Sequence, residues 1–321
     1  MRGVYIVAND KVGENAIALM SSLRLHDPDI PVFLIPFNDD HKIVAQRLAE
    51  LYDVQLFPDL AFLEELTQKI GEIFPRDFLA LPNKMRKLAA WFGPLDEFLY
   101  IDTDILFFTP VADTLAYLDR ADFIWCDYHY TRGLKDVFSS VVPQQNVFDT
   151  DALQDVFNSG LWGSRKSELS LERLYDVLKE CAAHKEYFDF SSGCTDQPIM
   201  NYLVLKTMPR RLNIVKANPN EPGSWGGSSH FERRGDVLYD GEHPLRYLHW
   251  AGTPMREGGP YRDLWTHYRY LNDPEGKAYA EANRPAPPSS FQRHNRNLKS
   301  FLRKANPPTT TPPGKDIDTI D

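Results

Sequence analysis

Long apolar runs are missing from this 321-residue chain. No stretch of about 18 apolar residues occurs, so no transmembrane helix is expected. Cysteine is scarce too. Cys126, Cys181 and Cys194 are too few and too scattered for a disulfide framework or a zinc cluster, and read as thiols of a reducing compartment. Positive charge is not in excess either. With 36 Lys and Arg against 45 Asp and Glu, the net charge is -9, which argues against a nucleic-acid partner, since that would need a basic face. The first apolar stretch, within Met1–Val7, is too short for a signal-peptide core and reads as a strand. These absences describe a cytoplasmic protein. What is present is 42% apolar content, enough for a substantial core.

Short apolar strands alternate with longer helical patterns. Strands are expected over Val4–Ala8, Pro31–Pro36 and Val54–Phe57, and helices over Glu14–Leu25 and His41–Leu51. That order predicts an α/β fold with a mostly parallel central sheet flanked by helices. Lys84–Phe92 reads as a helix with Met85, Leu88, Ala89 and Phe92 on one face. It leads into a strand over Phe98–Ile101. Past about residue 120 the pattern loosens into aromatic-rich loops. One domain is expected over 1–282, followed by a Pro-rich, partly basic and largely disordered tail over 283–321. Within the tail, residues 291–305 carry five cations and no acid beside Phe291, Leu298, Phe301 and Leu302. Their apolar face is small, which favours a solvated helix over peripheral contact with anionic lipid.

The most telling segment is Glu97–Phe108, where an apolar run climbs into Asp102 and Asp104 and then turns apolar again. Unpaired buried carboxylates are expensive. At strand spacing the two project from one face and can converge on a divalent cation shared with a diphosphate. A lone Asp-x-Asp also fits two solvated aspartates at a strand end. Open α/β sheets bind ligands at the carboxyl ends of their strands, where this pair and Asn9-Asp10 both fall. Other segments join them. Phe157–Gly163 sets Asn158, a hydroxyl and glycines in a row, suiting close backbone approach to a ligand or an ordinary turn. Thr195–Asn201 places Asp196 and Gln197 before an apolar helix, which a helix cap would also explain. Leu245–Gly252 is a strand ending in His249, and Lys87 sits one helix upstream of the aspartates.

Taken in order, these residues resemble the glycosyltransferase A fold and, within it, the family-8 enzymes that include glycogenin and bacterial galactosyltransferases. KLAAWFGPLDEFLYIDTDILFFTPVADTL is similar to that family's lysine helix, aspartate strand and following helix, FNSGLWG to its F-N-[AS]-G segment, TDQPIMN to its D-Q-x-x-[LM]-N, and YLHWAG to its late H-x-x-G. The resemblance implies a retaining transfer of a hexose from a nucleotide sugar, a UDP-hexose, to an acceptor that is a glycan, lipid or protein. It implies that Asp102, Asp104 and His249 hold Mn²⁺ or Mg²⁺. Asn9 and Asp10 would meet the nucleoside, with Lys87, Thr103, Gly252 and Arg256 near the phosphates or sugar and Asn158 in the sugar pocket. Asp196 or Gln197 would face the anomeric carbon. One departure stands out: Gly252 leads to Thr253-Pro254-Met255-Arg256 instead of the family's lysine, proline and aromatic. Either Arg256 supplies the missing cation, or the chain belongs to a neighbouring family of this fold. Trp125, Tyr128, Tyr130, Trp162 and Trp225, read as loop aromatics, suit sugar rings, though at least half are expected to be core. Three rival readings are a haloacid-dehalogenase-like phosphatase, a sugar nucleotidyltransferase and a non-catalytic binding protein of the same fold.

The composition of the tail cannot bury a core, so deleting residues 285–321 should leave soluble yield and melting temperature nearly unchanged. A large loss of soluble protein on expression of the truncated chain would show that the segment packs on the domain.

Overall fold

β1 (Arg2–Ala8) lies at the centre of the main sheet, with Val4, Tyr5, Ile6 and Ala8 all buried. Such a run suits a strand covered on both faces. It pairs in parallel with β2 (Val32–Pro36) on one side and β4 (Glu97–Ile101) on the other, and β2 carries β3 (Gln55–Leu56) at the edge. Parallel neighbours require crossover connections. α1 (Gly13–His26), α2 (Lys42–Tyr52) and α3 (Leu60–Ile73) provide them. The computed structural model describes residues 1–191, 193, 196–218, 220–253, 255 and 258–283. Over its first 60 residues the observed elements lie within two residues of those expected.

After β4 the chain makes β5 (Ile105–Phe107), α4 (Val111–Leu115), β6 (Phe123–Trp125), α5 (Val141–Gln144), β7 (Leu161–Arg165), α6 (Leu171–Ala183), α7 (Asp196–Thr207), β8 (Arg211–Asn213) and α8 (Ile214–Ala217). Among the described residues the main sheet has the order β3-β2-β1-β4-β7-β6-β8, in which β7 runs against both of its neighbours. A small antiparallel sheet follows, from β9 (Glu232–Arg234), β10 (Val237–Asp240) and β11 (His243–Pro244). β12 (Tyr247–His249) then returns to pair with β5, and α9 (Arg262–Arg269) packs with α1 over that pair. The chain divides into two units, Met1–Asp273 and the segment from Pro274 onward, whose described part is α10 (Pro274–Ala282) and Asn283. The basic stretch 291–305 and the Pro-rich tail lie outside the described residues. No helix among the described residues is long and apolar enough to cross a membrane.

Strand alternation separates two cores. One face of the sheet gathers Tyr5, Phe98, Tyr100 and Trp162, the other Val4, Ile6, Leu99 and Ile101. Trp162 is the centre of the aromatic face, stacked 4.5 Å from Trp91, 5.2 Å from Tyr100 and 5.6 Å from Phe123 between ring centres. Trp125 and Trp162 are thus strand residues, fully buried in β6 and β7, and not loop aromatics for a sugar. Strands this short leave too few residues for alternation to show in the sequence.

The expected helix over Lys84–Phe92 is a 3₁₀ helix, Pro82–Phe92. At three residues per turn, positions i and i+3 eclipse. Met85, Leu88 and Trp91 form one buried row, but Arg86, Lys87, Ala89 and Ala90 are buried as well, so the segment is enclosed on all sides, while Phe92 is only partly buried. Lys84 and Lys87 fall in the adjacent row, one above the other.

Because Trp162 is surrounded by aromatic rings, Trp162→Ala should cost about 3–5 kcal/mol. Urea unfolding followed by circular dichroism reads this directly. A midpoint equal to that of the unaltered protein would show that the aromatic layer does not carry the fold.

Candidate active site

β4 ends at Ile101, and Asp102, Thr103 and Asp104 form the turn that leads into β5. The two carboxylates converge through this turn, not through the pleat of a strand as the spacing suggested. The turn is pinned at both ends: the Asp102 amide donates to the Gly160 carbonyl at 2.7 Å, and the Trp250 amide to the Asp104 carbonyl at 3.0 Å. The β5–β12 register sets His249 opposite Ile105, next to Asp104. Its Nε2 lies 3.2 Å from Asp104 Oδ1. One ligand atom from each of Asp102, Asp104 and His249 falls within 4.8 Å of the others. Gly160 leaves the room for this: a Cβ there would overlap the His249 ring and come 2.9 Å from Asp102 Oδ2. Two hard oxygens and an imidazole nitrogen suit a divalent cation such as Mn²⁺ or Mg²⁺.

The charges explain how these groups coexist. Burial works against the imidazolium of His249, but Asp104 and then Asp102 outweigh it and hold its pKa above the usual value. Burial likewise works against ionised Asp104, and the His249 charge overcomes it, so this carboxyl lies below its usual range. Asp102 lies above its range, raised by burial and by Asp104 against the pull of Lys87. The side chains of both aspartates stay about one-third open, at 34% and 32% exposure, so a ligand can reach them.

Lys87 is 3% exposed and meets four groups: Asp196 Oδ2 at 2.8 Å, the Ser159 carbonyl at 3.2 Å, Asp102 Oδ1 at 3.7 Å and the Tyr100 ring at 4.8 Å. Burial would lower its pKa, but Asp102 and Asp196 raise it well above the usual value, so it stays charged. Lys84, one 3₁₀ turn earlier, lies 3.6 Å from Asp196 Oδ1. The Tyr100 hydroxyl donates to Asp102 Oδ1 at 2.6 Å.

Asp196 and Gln197 occupy the first turn of α7, both buried. Ser159 Oγ donates to Asp196 Oδ2 at 3.1 Å, and Asn158 Nδ2 donates to Gln197 Oε1 at 3.0 Å. Gln197 Nε2 in turn donates to the Asp136 carbonyl at 3.2 Å. Asn201, one turn along α7, exchanges two hydrogen bonds of 2.9 Å with the backbone of Phe157 and so docks this helix on the Asn158–Gly160 segment. Sequence reasoning missed Asp127. It follows β6, accepts from the amides of His129 at 2.7 Å and Asn158 at 2.9 Å, and is pushed up to about 6 by burial. Its signal was there: like Asp102, it is a carboxylate just past an apolar strand.

A cleft of about 710 Å³ opens beside these groups, within the usual size range for small-molecule sites. His249, Gly252, Asn158, Gln197, Asp127 and Lys84 are among the residues that line it. Asn9 and Asp10 stand at the carboxyl end of β1, the sheet neighbour of β4. Asp10 Oδ1 accepts from the Val44 amide of α2 at 2.8 Å, so part of its role is structural. Arg256 lies outside the described residues. A second depression, of about 680 Å³, lies at the opposite ends of β1 and β4, where Met1 pairs with Asp96 and Arg2 with Glu97. It carries none of the groups above.

No protein-family model matches the chain. A protein of Bacillus subtilis (strain 168), the uncharacterized protein YfnF, is 25% identical over 246 residues, or 74% of this chain and 77% of that protein. Among solved structures, the galactosyltransferase LgtC in complex with donor and acceptor sugar analogs aligns at a TM-score of 0.56, covering 86% of this chain and 100% of that one at 13% identity. An active-site variant of LgtC with glutamate in place of a glutamine aligns at 0.58. The bifunctional glycosyltransferase WbbM aligns at 0.56, also at 13% identity, over 86% of this chain, which spans 51% of that longer one. At such identities the likeness establishes the fold, and this chain has the glycosyltransferase A fold.

Gly160→Ala should force the His249 ring away from the aspartates while leaving the body of the sheet intact. The expected outcome is a normal circular dichroism spectrum with the thermal stabilisation by Mn²⁺ lost. An undiminished Mn²⁺ shift in this variant would show that the three groups do not act as one ligand set.

Proposed function

We propose that this protein is a metal-dependent glycosyltransferase that moves a hexosyl unit from a UDP-sugar to an acceptor hydroxyl with retention of configuration. The observation that carries this reading is the convergence of Asp102, Asp104 and His249 beside a cleft at the carboxyl ends of a glycosyltransferase A sheet. Their donor set fits Mn²⁺ or Mg²⁺, which when bound supplies positive charge against the diphosphate that leaves. LgtC, one of the solved structures covered over its full length, is a galactosyltransferase with donor and acceptor sugar analogs, and an active-site glutamine is the residue altered in its variant. Gln197 has the same residue type and opens on the cleft here.

The side chains divide the work. Tyr100 and Lys87 orient Asp102 from behind, so its carboxylate is held before any ligand arrives. Lys87, Lys84 and Ser159 all draw on Asp196, which supports reading it as a positioning group behind the pocket. Gln197 and Asn158 share one hydrogen bond and face the cleft, where their amides can meet sugar hydroxyls and the developing positive charge at the anomeric carbon. Asn9 and Asp10 are read as the nucleoside side, a reading that their place at the end of β1 supports. Among the rival readings, the phosphatase would want its aspartates after the first strand, and here they follow β4.

UDP should raise the melting temperature with Mn²⁺ present and do so far less with EDTA. Asp104→Asn should abolish that difference, because an amide is a poor ligand for a hard cation. Gln197→Ala should keep UDP affinity within a few-fold yet lower both kcat and kcat/KM for donor hydrolysis by about 10²-fold. Equal UDP shifts in Mn²⁺ and EDTA, or no turnover of any UDP-sugar, would remove the reading.

A further inference from the structure

The cleft is also lined by residues that the metal and donor assignments leave unused. Five of the six tryptophans are buried, whereas Trp225 is 50% exposed and lines the cleft together with Tyr128, 42% exposed. Neither ring hangs loose. The Trp225 indole N–H donates to the Ala251 carbonyl at 2.9 Å, and Gly227 lies so close to the indole that a Cβ there would overlap it. Gly223 packs in the same way on the ring of Tyr128. The loop between them is fastened to a candidate metal ligand: the Gly226 amide donates to the His249 carbonyl at 2.7 Å, and the His249 amide to Ser224 Oγ at 3.3 Å.

With its only polar group engaged on backbone, Trp225 presents the cleft with an apolar π surface. Polar pairs line the cleft as well: Arg132 with Asp136 at 2.8 Å and His230 with Asp240 at 3.5 Å. A lipid chain would want a continuous apolar lining, which these polar side chains interrupt, and the pairing of Arg132 with Asp136 leaves that cation engaged and not free for an anionic acceptor. A neutral pyranose matches both features, with a C–H face for the rings and a rim of hydroxyls for the polar pairs.

We propose that Trp225 and Tyr128 form an acceptor subsite and that the acceptor is a neutral sugar unit stacked on these rings. Asp240 and Asp136 hold its hydroxyls. This inference rests on the glycosyltransferase reading and names the acceptor class for the same site.

The test titrates methyl β-galactoside, methyl α-glucoside and lactose into the full-length protein with UDP and Mn²⁺, following tryptophan emission, with glycerol and N-acetylserinamide as non-sugar hydroxyls. At least one sugar should give a saturable change that glycerol does not, and Trp225→Leu should lose it. With that sugar and a UDP-hexose, the ratio of transfer to donor hydrolysis should fall about tenfold in Trp225→Leu and in Tyr128→Ala, and less in Trp225→Phe, which keeps a ring. Sugars that leave the emission unchanged, a transfer ratio untouched by Trp225→Leu, or transfer only to N-acetylserinamide would overturn the subsite. Unaltered protein that neither binds UDP nor hydrolyses a UDP-sugar would instead bring down the enzymatic reading on which it rests.

Discussion

Lys87 is the buried cation around which the carboxyl end of the sheet is arranged. Its charge would be costly alone in that position. It is tolerated because Asp102, Asp196 and the Ser159 carbonyl converge on it from three different elements. The cation thereby ties the 3₁₀ helix, the turn after β4 and the start of α7 to one point. Asp102 belongs to this knot and to the candidate metal set at once. Its orientation is consequently decided by protein groups, which is the kind of preorganisation a charge-stabilising site requires.

Much of this was legible in the residues. Over the first 60 positions short continuous apolar runs alternate with helix-length segments so regularly that β1 to β3 follow from pattern alone. Asp102 and Asp104 announce themselves as carboxylates inside an apolar run, and Asp196-Gln197 as polar groups before an apolar helix. Other features have no local signature. Apolar residues at 85, 88, 89 and 92 fit an α-helix as well as a 3₁₀ helix, and only packing selects between them. The reversed direction of β7 depends on which partners it finds, not on its own five residues. The turn at 102–104 was hidden because apolar residues continue on both sides of it. Asp127 was passed over since it is a single acid after a three-residue strand, without a second acid to draw notice.

The likeness to solved glycosyltransferases comes at 13% identity, so the common feature is the path of the backbone. The chemistry therefore has to be argued from side chains of this chain. Here the strongest argument is the mutual dependence of the groups: the β5–β12 register that delivers His249, the missing side chain at Gly160 that admits its ring, and the cation that steadies Asp102. Each would be unremarked alone.

The pairing of β12 with β5 has a consequence for the order in which the molecule comes into being. A chain growing from its amino end exposes β1 to β4 early, and these strands can pair while the rest is still being made. The histidine that closes the ligand set arrives only after the remaining strands of the main sheet have been synthesised, through a contact very remote in sequence. Until Tyr247–His249 docks on β5, Asp102 and Asp104 stand without the imidazole beside Asp104. A nascent or truncated chain thus holds the main sheet before it holds the candidate ligand set.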